Sequence, residues 1–148
     1  MLRGLPGLIL FLAGGAMAST CPEAGPGGTW IDLTEASATT HRAQAIAGGP
    51  VTFAACAATA GRGSFGREPD FSIAGVAAPL ALRSEGDCDT LLLVAAADGG
   101  WYFDDDGGGA DHALVTIAEP APGPYRVWVG TVDRGSCRAR LIVERGGG

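Results

Sequence analysis

The chain has 148 residues, a hydrophobic fraction of 47% and a formal net charge of −6. That length and apolar share suit one domain with a single core. The acidic balance is reached without a lysine and excludes the electrostatic footprint of a nucleic-acid or anionic-membrane binder.

Residues 1–18, MLRGLPGLILFLAGGAMA, hold one positive residue, Arg3, an apolar run from Leu5 to Ala13 and the small-residue pattern Ala16-Met17-Ala18. That order predicts a secretory signal peptide cleaved after Ala18. The run is too short for a membrane span and is interrupted by Gly7, with Gly14 and Gly15 after it, so no span is expected after cleavage. Thr20 stands where a lipid-anchor motif would place Gly or Ala before Cys21, which argues against an anchor. The expected location is periplasmic or extracellular. Cys21, Cys56, Cys88 and Cys137 all lie in the exported part, and an even number of cysteines there favours two disulfides. Their spacings of 35, 32 and 49 residues match no zinc template, which needs close pairs. Three pairings are open at this point.

Residues 19–43 read as a turn-rich lead-in, with a loop from 34 giving way to a strand at Gln44–Ala47. Period-two alternation then marks Val51 to Cys56, Phe71 to Gly75 and Leu80 to Arg83. Thr90–Val94, TLLLV, is a continuous apolar run suited to a central strand covered on both faces. Alternation resumes at Ala113–Ile117, Tyr125–Val129 and Arg138–Glu144. No segment carries a sustained helical period. About eight short strands separated by Gly, Pro and Asp predict an all-β single domain, an antiparallel β-sandwich of jelly-roll type. Its expected core is Phe53, Phe71, Leu82, Leu92, Val115, Tyr125, Val127, Leu141 and Val143.

Three stretches, PDFSIAG (69–75), LALRSEGDCDTLLLVAAADGGWYFDDD (80–106) and PGPYRVWVGTVDRGSCRARLIVE (122–144), resemble the bacterial pre-peptidase C-terminal domain. The shared features are Asp89 opening TLLLV, the Asp98-Gly99 turn, the run Asp104-Asp105-Asp106, and Gly123-Pro124-Tyr125 leading into RVWVG. AIAGGPVTF (45–53) fits the family's opening strands, so the resemblance spans about residues 44–145. It implies a non-catalytic β-sandwich of the kind appended to secreted peptidases and other exported hydrolases. It further implies a binding or accessory role toward a protein or polysaccharide ligand, and calcium, which some members bind.

A hairpin at Asp98-Gly99-Gly100 returns the chain so that the loop 104–111 lies at the same end as Asp87 and Asp89. If Tyr125–Thr131 runs antiparallel to TLLLV, Asp133 and Cys137 arrive there too. This favours the pairs Cys88–Cys137 and Cys21–Cys56. Convergent carboxylates repel, and a calcium ion, which takes six to eight oxygen ligands, would compensate them. The candidate ligands are Asp89, Asp104, Asp105, Asp106 and Asp111. The plainer reading, which the sequence favours, is that these are solvated turn residues, because aspartate caps tight turns and Gly107–Gly109 supply positive φ. An EF-hand starting at Asp104 would meet Gly108 and Val115 where ligands are required.

A small exported hydrolase is the reading from a different class. Ser64 lies in GRGSFGRE, which lacks the G-x-S-x-G elbow, and His41 and His112 are the only histidines. Trp30, Trp101, Tyr102 and Trp128 allow a third reading, a carbohydrate-binding module that stacks sugar rings on indoles.

Overall fold

The computed structural model describes residues 21–34, 39–56, 59–133 and 135–146. The signal-peptide reading of residues 1–18 lies outside them. The described chain is all strand and loop. Its strands are β1 (Thr29–Asp32), β2 (Thr40–Ala47), β3 (Val51–Thr52), β4 (Ala55–Cys56), β5 (Thr59–Ala60), β6 (Ser64–Phe65) and β7 (Phe71–Ala74). They continue with β8 (Leu80–Gly86), β9 (Thr90–Ala95), β10 (Trp101–Asp104), β11 (Leu114–Ile117), β12 (Tyr125–Thr131) and β13 (Cys137–Arg145). Among the described residues no helix is long and apolar enough to cross a membrane.

Two sheets face each other. One runs β11-β8-β13-β2. The other is built on β12, which pairs with β9 along one edge and with β7 and then β6 along the other; β10, β1 and β3 extend it. Alternate residues of both sheets fill the space between them: Phe71, Ile73, Leu92, Val94, Tyr125, Val127 and Val129 from one, Leu80, Leu82, Val115, Leu141 and Val143 from the other. This is the expected sandwich, and every residue of the expected core is buried.

Three details depart from the sequence expectation. The segment 19–43 is not merely a lead-in. It contributes β1, which lies parallel to β7 in register Thr29↔Phe71 to Asp32↔Ala74. The long connection from β1 to β7 removes the hairpin constraint that would have made the pair antiparallel. The strand expected at Gln44 begins instead at Thr40, because β13 is long enough to pair with it as far as Glu144↔Thr40. The alternation at 51–56 is split into β3 and β4, and Phe53 between them turns to a second apolar cluster rather than the inter-sheet core.

That second cluster explains TLLLV. Leu92 and Val94 face the inter-sheet core, while Leu91, Leu93 and Ala95 face outward. The outward set is covered by Phe53, Cys56 and Phe65, which close over it together with Trp128. Phe53 stacks on Phe103 with ring centroids 5.5 Å apart and meets Phe65 edge-on at 5.7 Å. Trp128, which alternates away from Val127 and Val129, is fully buried here and stacks on Trp101 at 5.6 Å. The disulfide Cys21–Cys56 ties the start of the described chain to this layer, and Cys88–Cys137 ties the β8–β9 turn to β13. Bridges closing loops of this size typically stabilise by about 2–4 kcal/mol each.

The layer needs Gly130. A Cβ at that position would run into the Phe65 ring, which is fully buried and has nowhere to go. Gly130→Ala is expected to destabilise the fold by about 1–3 kcal/mol, read as a lower urea midpoint with an unchanged slope.

Asp70 solves a backbone problem that the pattern of strands leaves behind. Along one edge of β12, β7 pairs up to Val127↔Phe71 and β6 begins only at Thr131↔Ser64. In the gap, the Val129 amide donates to Asp70 Oδ2 at 2.7 Å, and the Val129 carbonyl accepts from the Gly48 amide at 3.0 Å. Burial pushes the Asp70 carboxyl up to about 6, with the Val129 amide opposing. The folded-state value lies above the unfolded one, so the folded protein binds the proton more tightly. Stability should therefore be greatest below about pH 4 for this group and fall as pH rises through 6, by an amount on the order of 2–3 kcal/mol. In urea titrations from pH 4 to 7, the stability difference between the wild type and Asp70→Asn should change by that amount. A difference independent of pH would remove the assignment.

Candidate functional site: an acidic tip

The β9–β10 hairpin places the loop between β10 and β11 beside the start of β9, as its turn residues require. The loop is held by main-chain bonds. The Thr90 amide donates to the Asp111 carbonyl at 2.9 Å, Gly108 to His112 at 2.8 Å and Gly109 to Asp106 at 3.0 Å. Gly109 takes φ +77°, and Ala110 and Asp111 take φ 50° and 62°, a left-handed run that an aspartate tolerates better than most residues.

The five candidate ligands separate. Asp104 turns inward: its Oδ2 accepts from the amides of Gly107 and Leu114, both at 2.8 Å, and so stitches the loop to β11. Asp105 pairs with Arg62 at 3.0 Å. Neither belongs to the carboxylate group that forms. Asp89, Asp106 and Asp111 do, each offering an oxygen within 4.8 Å of the others. Asp89 is the anchor. Its carbonyl accepts from the Thr131 hydroxyl at 2.7 Å, which fixes it against the end of β12. Its Oδ1 is buried and has no hydrogen-bond partner. Burial raises its pKa, the nearby Asp111 and Asp106 carboxylates raise it further, Arg62 opposes and Asp133 adds to the rise. The hairpin signal placed the loop 104–111 beside Asp89, and of the four candidate aspartates in that loop Asp106 and Asp111 join it. Arg62 was missed, because it comes from the β5–β6 connection and only the folding of segment 53–65 over the sheet brings it there.

The candidate nucleophile and the two imidazoles do not come together. Ser64 lies in β6 and donates to the Thr131 carbonyl at 3.4 Å. The groove around it is lined by Gly49, Thr52, Gly63, Asp133, Gly135 and their neighbours, with no histidine. His41 is exposed on β2. His112 Nδ1 meets the Thr90 hydroxyl at 3.4 Å, but Thr90 is fully buried and accepts from Ser84, itself buried, at 2.9 Å. The aromatics do not form one platform either. Trp128 is buried, Trp101 lies against it, Tyr102 packs on the inter-sheet core, and Trp30 is 58% exposed on β1.

No family model matches the chain, and no curated protein matches it in sequence. Among solved structures it is similar to PliG of Aeromonas hydrophila, a periplasmic inhibitor of g-type lysozyme. The likeness has 17% identity and a TM-score of 0.47, and covers 78% of this chain and 95% of that one.

Proposed function

We propose that the chain is an exported, non-catalytic binding or accessory module of the pre-peptidase C-terminal type, with calcium held at its acidic tip. The observation that carries the calcium part is Asp89, whose Oδ1 is a buried carboxylate oxygen without a donor and whose carboxylate offers an oxygen within 4.8 Å of those of Asp106 and Asp111. A buried acceptor left unmet costs free energy, and like charges this close raise the cost. A hard, oxygen-seeking cation meets both needs, and an all-carboxylate donor set fits calcium. Asp89, Asp106 and Asp111 would hold the ion, while Asp104 and Asp105 shape the loop through the Gly107 and Leu114 amides and Arg62. Bound calcium would supply positive charge that locks this loop onto β9.

The non-catalytic part is supported by where the reactive groups lie. The groove that presents Ser64 brings it Asp133 and no imidazole, and the hydroxyl beside His112 is buried. Two disulfides support export, because they persist in oxidising compartments.

Calcium titrated into chelator-treated protein should give binding heat and a higher melting temperature, with about 2.7 kcal/mol of stabilisation at a hundredfold excess over Kd. Asp89→Asn should abolish both effects. An absence of heat at millimolar calcium leaves the tip as a set of solvated turn residues. For the second part, peptidase and glycosidase substrate panels should show no turnover. Activity lost on Ser64→Ala or on changing the acidic loop would reinstate the hydrolase reading.

A further inference from the structure

The negative charge of this protein is not evenly spread. On the β11-β8-β13-β2 sheet, the side chains that alternate away from the core stand in rows set by the strand register. Arg138 lies opposite Ile46. Arg140 lies between Gln44 and Glu85. Ile142 lies between Arg42 and Arg83. Arg42, Arg83, Arg138 and Arg140 thus share one face, with Glu85 and Glu144 beside them, so arginine outnumbers carboxylate there although the net charge of the chain is −6.

These guanidinium groups are in part already held in place. Glu85 Oε2 accepts from Arg140 Nε at 2.9 Å and Nη2 at 2.6 Å, and Arg83 Nη1 donates to the Gly108 carbonyl at 2.9 Å. Arg42 and Arg138 are exposed. Ile46, 56% exposed, stands among them, one of the two large hydrophobic residues that the described surface exposes. A cleft of about 470 Å³ runs between Gln44, Glu85, Asp87, His112, Arg138 and Arg140.

The composition of the face selects among anionic partners. None of its strands carries a Trp, Tyr or Phe, so the indole and phenyl platforms on which sugar rings and nucleobases stack are missing from them. What it offers is planar guanidinium forks that match carboxylates, beside an exposed aliphatic side chain. Arginine with an apolar neighbour is the mixture enriched where proteins meet.

We propose that the outer face of β2, β13 and β8 docks an acidic protein segment, with carboxylates on Arg42 and Arg138 and an apolar side chain over Ile46. The proposal rests on the binding-module reading above and is independent of calcium at the tip. A glycan partner or a tip-mediated contact is an outcome of its test.

The test uses the disulfide-bonded chain and three labelled probes: a short peptide of alternating glutamate and leucine, its lysine–leucine counterpart, and oligogalacturonate. Fluorescence anisotropy should show the glutamate peptide binding, weakening with salt, and the lysine peptide not binding. Arg42→Glu with Arg138→Glu should weaken the glutamate peptide by about tenfold or more. The milder pair Arg42→Gln with Arg138→Gln should move it the same way by less, with the melting temperature checking that each variant folds. Asp98→Asn, at the β9–β10 turn, should leave the affinity unchanged, and Asp106→Asn with Asp111→Asn tests for a contact through the tip. No binding of the glutamate peptide overturns the proposal, as does binding indifferent to the arginine changes. Oligogalacturonate binding as tight as the peptide reassigns the face to an anionic glycan, and loss of affinity on changing Asp106 and Asp111 moves the site to the tip. Turnover in the substrate panels would count against the module reading and leave this titration standing. Absence of peptide affinity without turnover counts against the face alone.

Discussion

β9 and β12 pair from Arg126↔Ala95 to Thr131↔Thr90, and nearly every residue of both strands is buried. Two adjacent strands without access to water must satisfy all of their backbone groups inside the protein and be covered on both sides. The opposing sheet covers one side. Phe53, Cys56 and Phe65, tied down by Cys21–Cys56, cover the other. Where neighbouring strands leave β12 unpaired, Asp70 and Gly48 supply the missing partners. The cost is a buried carboxylate whose proton affinity burial raises against the pull of the Val129 amide, and that burial makes stability depend on pH.

The acidic tip follows from this pairing. Register brings the start of β9 to the end of β12, where the Asp89 carbonyl meets the Thr131 hydroxyl. Asp104 draws the β10–β11 loop against β11 by accepting two amides, so the loop folds back over Asp89. Asp89, Asp106 and Asp111 are thereby held close by main-chain and side-chain bonds that oppose their mutual repulsion. Of the neighbouring aspartates, one shapes the loop, one pairs with Arg62 and three converge, although in sequence they look alike.

Charge is divided between the loops and one sheet face. Aspartate suits turns, where it caps its own backbone, and so the carboxylates gather at the ends of the sandwich. Arginine suits the open face of a strand, where its stem covers apolar neighbours and its head reaches water. On β13 the alternation of Arg138 and Arg140 with buried Ala139 and Leu141 directs both guanidinium groups to the side facing away from the core. A single net charge hides this separation. It excludes partners that need a uniformly basic protein, but it does not describe the face that another protein would meet.

Alternation alone determined the class of fold. Period-two runs at 80–83, 113–117, 125–129 and 138–144 became strands, the unbroken TLLLV became the strand buried on both sides, and the hairpin with its antiparallel neighbour brought Cys88 near Cys137. These are local properties: side-chain direction repeats every two residues, and a turn is written in its own residues. The parallel placement of β1, the start of β2 at Thr40, the closing of Phe53 and Phe65 over a second core, and the separate fates of Asp104 and Asp105 depended on contacts between residues far apart in the chain. No local period encodes which strand will have a free edge, which face a distant loop will cover, or which carboxylate will find two amides. The tertiary structure decided those, because each depends on pairing partners that exist only once the sheets have assembled.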